Sequence, residues 1–147
     1  MAEAIGVGMI RYLIDTNVAS EMRKPKPHAG AFAWLQSLEV GQGFFSAVTF
    51  GEIQKGVELT RQQNPGKANE IELWATQLER VSQVLPMDAL CFREYARLMH
   101  HRSDTVREDA MIAATARIHG LTLATRNESD FAHLEVAVAN PFKYRRS

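Results

Sequence analysis

Ile10-Arg11-Tyr12-Leu13-Ile14-Asp15-Thr16-Asn17-Val18-Ala19 is the stretch that decides the fold. Residues 10–14 are β-prone and a helix follows, so an acid, Asp15, stands where a strand gives way to a helix. Four further β-prone runs, residues 43–46, 84–87, 121–125 and 135–138, recur between helical stretches. No two-residue hairpin signal joins them, and the first four of the five runs lack strict alternation. The economical architecture is an α/β fold with a mostly parallel sheet of four to five strands, covered by helices on both faces. In such sheets ligands bind in the crevice beyond the carboxyl ends of strands, which makes the residues just after each strand the ones to inspect.

Between the strands the apolar spacing is helical. Ala31, Trp34, Leu35 and Leu38 form one stripe, and Ile71, Trp74, Ala75, Leu78 and Val81 a second. Ala89, Phe92, Ala96 and Met99, with Cys91, Tyr95 and Leu98 beside them, form a third. A last long helix begins near Arg107 and stops at Gly120, a residue suited to a left-handed C-terminal cap. Lys24-Pro25-Lys26-Pro27, Asn64-Pro65-Gly66 and Asn140-Pro141 punctuate the chain as turns.

With 147 residues, 46% of them hydrophobic and 23% charged, the chain reads as one ordinary globular domain. Seventeen Lys+Arg balance 17 Asp+Glu, which excludes the broad basic field of a protein that coats nucleic acid. A single cysteine, Cys91, excludes an intrachain disulfide and any cysteine-rich zinc site, and fits a reducing cytoplasm. No stretch is long and apolar enough to cross a membrane, and the first residues lack the pattern of a signal peptide. Residues 1–8 read as an unstructured N-terminal extension, residues 9–142 as the domain, and residues 143–147 as a basic tail.

Four acids fall where the expected sheet would present them. Asp15 leaves the first strand, where it also suits a helix N-cap. Glu52 lies on a helix starting near Val48, in line with Val48 and Gly56. Asp109 heads the stripe Asp109, Ile112, Ala113, Ala116, so its carboxylate projects along the buried face of its own helix. Asp130 follows the fourth strand in the run Thr125-Arg126-Asn127-Glu128-Ser129-Asp130-Phe131. Crowded carboxylates repel unless a cation joins them, and an all-oxygen donor set points to Mg2+ or Mn2+. The five histidines show no metal-binding spacing, no phosphate-binding P-loop is present, and Asp15-Thr16-Asn17 lacks the second acid of an Asp-x-Asp phosphatase.

These residues carry a resemblance. The runs Leu13-Ile14-Asp15-Thr16-Asn17-Val18, Gly51-Glu52-Ile53-Gln54-Lys55-Gly56, Asp109-Ala110-Met111-Ile112-Ala113-Ala114-Thr115-Ala116 and Thr125-Arg126-Asn127 with Asp130-Phe131 resemble, in order and spacing, the four signature segments of PIN-domain ribonucleases. The pattern is similar to that of the VapC and FitB-like toxin branch, the plasmid stability proteins, and extends from residue 9 to about residue 142. The resemblance implies a three-layer PIN-like fold and a Mg2+- or Mn2+-dependent endoribonuclease, with Asp15, Glu52, Asp109 and Asp130 as the catalytic, metal-holding cluster. It assigns Asn17 and Thr125 as supporting polar residues. Arg102, Arg107, Arg126, Lys143, Arg145 and Arg146 are candidate RNA contacts. It further implies a homodimer and a cognate small antitoxin of the VapB or FitA kind, through which alone operator DNA would be reached. The alternative is a non-catalytic binding module of the same fold, acting only within a toxin-antitoxin repressor complex.

Overall fold

A computed structural model describes residues 9–146, so the extension expected at residues 1–8 lies outside the described residues. Five strands form the sheet: β1 (Tyr12–Ile14), β2 (Gly43–Ser46), β3 (Val84–Leu85), β4 (Thr122–Ala124) and β5 (Val138–Ala139). Their order is β3-β2-β1-β4-β5, and every pairing is parallel. Six helices flank it: α1 (Thr16–Ala19), α2 (Ala29–Ser37), α3 (Ala47–Arg61), α4 (Pro65–Val81), α5 (Ala89–Met99) and α6 (Arg107–His119). The chain builds outward from β1 to β2 and β3 on one side, then returns to lay β4 and β5 on the other. That reversal puts the topological switch point, the natural binding crevice of an open parallel sheet, between β1 and β4.

Adjacent residues on the central strands feed opposite faces, as the two-residue period of a strand requires. Leu13 and Leu123 join Leu98, Ile112, Phe131 and Leu134 in one core, whereas Ile14 and Ala124 join Val18, Trp34, Phe45 and Leu78 in the other. A third, smaller core of Ile53, Val57, Ala68 and Ala75 fastens α3 to α4. Four alanines on α6, Ala110, Ala113, Ala114 and Ala116, are fully buried. Their small side chains let that helix lie close to the sheet, and Gly120 ends it in the left-handed conformation (φ 66°).

Three expectations change. On α5 the buried stripe is Cys91 and Leu98, with Tyr95 and Met99 half-buried, while Ala89 and Ala96 face solvent and Phe92 is 48% exposed. Both stripes are apolar in sequence; the Asp88 side chain, by capping the Cys91 N–H at 3.0 Å, fixes where the helix starts and which stripe meets α6. Val81, on the last turn of α4, is 84% exposed and adds nothing to the core. The fifth strand begins at Val138 instead of residue 135, because Glu135 takes a positive φ of 54° that interrupts an extended backbone.

At the C-terminal end a 3-10 turn, Pro141–Lys143, packs against α2. A Cβ on Gly30 would meet the carbonyl oxygens of Tyr144 and Phe142 at 3.1 and 3.2 Å, so glycine permits that approach. The described part of the expected tail, residues 143–146, therefore starts inside an ordered turn, with Tyr144 against the second core. Among the described residues no helix is long and apolar enough to cross a membrane.

Candidate active site

Parallel register builds the centre of the site. Ile14 pairs with Ala124, so Asp15 and Thr125 each stand one residue beyond the paired ends of β1 and β4. Asp15 caps α1, its Oδ1 accepting from the Thr16 N–H at 2.8 Å. Its Oδ2 accepts from Thr125 Oγ1 at 2.7 Å and from Asn17 Nδ2 at 3.2 Å. Asn17 closes the network, accepting the Arg126 N–H on its Oδ1 at 3.1 Å, and Thr125 Oγ1 accepts the Asn127 N–H at 3.1 Å. The cap reading and the site reading of Asp15 thus coexist in one side chain. Burial pushes the Asp15 carboxyl up from its ordinary value, the three hydrogen bonds oppose that rise, and the Asp130 charge adds to it.

Ser46, the last residue of β2, caps α3 by accepting the Val48 N–H at 3.0 Å, so strand runs straight into helix and Glu52 sits in the second turn. Its Oε1 accepts a 3.0 Å hydrogen bond from Thr16 Oγ1. Partial burial pushes the Glu52 carboxyl up; the Thr16 bond works against this, and the charges of Asp15, Asp109 and Glu108 reinforce it. Asp109, half-buried in the first turn of α6, is raised to about 6 by desolvation first and then by Asp130, Asp15 and Glu108. Asp130 lies exposed on the 3-10 turn Glu128–Phe131, which the buried Phe131 anchors.

The structure therefore gathers the four sequence-designated acids into one electrostatic neighbourhood at the carboxyl ends of β1, β2 and β4. Among the described residues no basic side chain forms an ion pair with any of the four. Among the described residues no three His, Cys, Asp or Glu side chains are so placed that they could hold a metal ion together.

The candidate RNA contacts have different surroundings. Arg126 follows Thr125, and its guanidinium lies 4.6 Å from the centroid of the Phe142 ring. Lys143 pairs with Glu128 at 2.8 Å, and Arg107 with Asp104 at 3.5 Å. Arg145 and Arg146 are exposed. Arg102 acts locally, donating to the carbonyls of Leu98 and His133 and so closing the end of α5 onto the loop before β5.

Sequence reasoning passed over three groups. Thr16 joins two of the acids; the signal available was a hydroxyl directly after the acid at a strand exit. Glu108 adds negative charge to the cluster. Glu21, in the 3-10 turn Ser20–Arg23, is a buried carboxylate that accepts from Lys24 Nζ and from the His28 N–H, and so folds the proline-rich loop before α2. Nothing in its local sequence marks it. A cleft opens from Thr16 and Glu52 between the Ser20–Arg23 turn, α3 and α4, lined also by Arg23, Ile53, Val57 and Trp74.

Comparison with known proteins shows the family. The PIN domain family matches residues 12–137. Toxin FitB of Neisseria gonorrhoeae is 36% identical over 143 residues, covering 88% of this chain and 97% of that protein. VapC ribonuclease Y4jK of Sinorhizobium fredii is 30% identical over 136 residues, with 89% and 97% covered. The solved structure of FitAB bound to an IR36 DNA fragment contains a chain that superposes with a TM-score of 0.77 at 34% identity, covering 92% of this chain and 98% of that one.

Proposed function

The chain belongs to the PIN-domain family, and from that premise we propose that it is the toxin of a type II toxin-antitoxin pair, a Mg2+- or Mn2+-dependent endoribonuclease. The carrying observation is the convergence of Asp15, Glu52, Asp109 and Asp130 at the switch point, with no basic partner among the described residues. The names of its relatives, a toxin and a VapC ribonuclease, support the same reading. Four carboxylates retained in mutual repulsion are hard to explain in a module that only binds.

The donor set fits a hard divalent cation: every group is a carboxylate oxygen, and the burial and neighbouring negative charges that lift Asp109 both favour a bound cation over a bare carboxylate. Asp15, Glu52, Asp109 and Asp130 would hold it. When bound, the ion supplies a water of lowered pKa and offsets charge on the phosphoryl oxygens of an in-line displacement, leaving 5′-phosphate and 3′-hydroxyl ends. The chain's own contribution is orientation. Asp15 Oδ2 already accepts two hydrogen bonds and Oδ1 one, so Oδ1 is the oxygen with most capacity left for a further partner. Arg126, next to Thr125, and Arg107, two positions before Asp109, with Lys143, Arg145 and Arg146 beyond, are the cations proposed for the RNA backbone. Arg102 would serve by holding its loop in place.

The proposed restraint is a small antitoxin of the VapB or FitA kind in the cytoplasm, with a DNA-binding N-terminal domain through which operator DNA is reached. Its C-terminal tail would fold over residues 18–38 and 50–59, entering the cleft beside Thr16 and Glu52 and sending a basic side chain to the acids. A homodimer is also proposed, and sedimentation near about 33 kDa, twice the chain mass of 16.5 kDa, is its check. The direct test of the activity is incubation of the purified protein with cellular RNA. Cleavage is expected with Mg2+ or Mn2+ and none in EDTA; full activity in chelator would overturn the metal-dependent reading.

A further inference from the structure

We infer that Thr16 is the positioning residue of this site: its hydroxyl holds the Glu52 carboxylate toward Asp15, where both acids would be available to a divalent cation. The inference rests on the ribonuclease reading above and adds to it a residue outside the acidic set. Among the described residues Thr16 alone donates to both acids. Its N–H reaches Asp15 Oδ1 at 2.8 Å, and its Oγ1 reaches Glu52 Oε1 at 3.0 Å, across 36 positions of sequence. Because the N–H is committed to Asp15, the hydroxyl points from a backbone that the other carboxylate already fixes. Threonine suits this role, since its branched Cβ restricts χ1 more than serine does.

Glu52 needs such a hold. The charges of Asp15, Asp109 and Glu108 all act against its carboxylate. It stands at the mouth of a cleft that Arg23 also lines. With three side-chain torsions and no other hydrogen bond from a side chain among the described residues, a released Glu52 would turn out of the cluster and toward that arginine. A neutral donor can prevent this without cancelling the negative charge that a cation requires. A lysine or arginine in the same place would orient Glu52 equally well and compete with the metal. One hydroxyl therefore sets the spacing of two acids whose parent elements, the β1–α1 junction and α3, share no other side-chain hydrogen bond among the described residues.

The test compares Thr16→Val, which keeps the shape and loses the donor, with Thr16→Ser, which keeps the donor. Three readouts are taken: the Glu52 rotamer in crystals of the metal-free variants, Mn2+ affinity by calorimetry, and RNA cleavage against Mn2+ concentration. For the valine variant the expectation is a wild-type fold, Glu52 turned outward, Mn2+ bound about 10- to 100-fold more weakly, and cleavage that recovers as Mn2+ is raised. The serine variant is expected to stay within about threefold of wild type, a small part of that range. A valine variant with Glu52 still inward, or with unchanged Mn2+ affinity, would overturn the assignment, as would a serine variant as impaired as valine. A wild-type protein that neither bound Mn2+ nor cut RNA would instead overturn the ribonuclease reading, an outcome separate from the rotamer result.

Discussion

Thr125 Oγ1 donates a 2.7 Å hydrogen bond to Asp15 Oδ2, joining residues 110 positions apart. The pairing of Ile14 with Ala124 makes the contact inevitable once β1 and β4 lie parallel in that register. Both residues are buried, and Thr125 is wholly so. The hydroxyl therefore does two things: it satisfies an expensive buried carboxylate, and it locks the exit of β1 to the exit of β4 at the switch point.

Replacing Thr125 with valine should cost about 1–3 kcal/mol, because it removes the shorter of the two hydrogen bonds to a buried carboxylate oxygen in a site of nearly unchanged shape. At roughly 3 °C per kcal/mol for a chain of this size, the metal-free melting temperature should fall measurably. Thr125→Ser, which keeps the donor, should avoid most of that loss. An unchanged melting temperature in the valine variant would show that the bond contributes nothing.

Asp109→Asn should abolish RNA cleavage and leave the metal-free melting temperature unchanged or raised. Its carboxylate is partly desolvated and held among like charges, so removing the charge relieves the folded state. Asp15, Glu52 and Asp130 should behave alike in the cleavage assay. A variant that unfolded, while its folded fraction kept full activity, would make Asp109 a structural residue.

The same group predicts a pH dependence. Asp109 is raised from 3.8 to about 6 in the folded protein, so folding favours its protonated form. The stability it contributes is fully present below about pH 4 and is lost as pH rises through about 6. Asp15 and Glu52 are shifted in the same direction. Because Asp109 is only half-buried, solvent screening reduces the effect to about 1 kcal/mol. Urea melts of metal-free protein between pH 4 and 7 should therefore show a rise in stability on acidification that is shallower in Asp109→Asn. Equal slopes in the two proteins would remove Asp109 as its source. Mn2+ affinity should move oppositely, falling with acidification as protons compete for the same oxygens.

Expression of the chain alone should arrest growth, and co-expression of an adjacent small gene should relieve the arrest. The cleft beside Glu52 and the absence of a basic partner for the acids among the described residues favour inhibition by an inserted arginine, whose planar fork engages a carboxylate through two bonds. Inhibition that persisted after every basic residue of the antitoxin tail was changed to alanine would reject that mechanism. Harmless expression of a protein fully active on cellular RNA in vitro would reject restraint by a partner altogether.

By itself the sequence determined the alternation of strands and helices, the span of α6 with its glycine cap, and the identity and order of the four acids. Each is written locally, in a repeat of two or 3.6 residues or in a residue type at an element's end. Tertiary structure alone decided which stripe of α5 is buried, because Cys91 with Leu98 and Ala89 with Phe92 are equally apolar stripes until the Asp88 cap and α6 choose between them. It alone turned Arg102 onto the carbonyls of Leu98 and His133, and Thr16 onto Glu52. Hydrogen bonds between residues 36 or 110 positions apart leave no periodic trace along a chain, since their partners meet only after register and helix packing have brought distant backbones together.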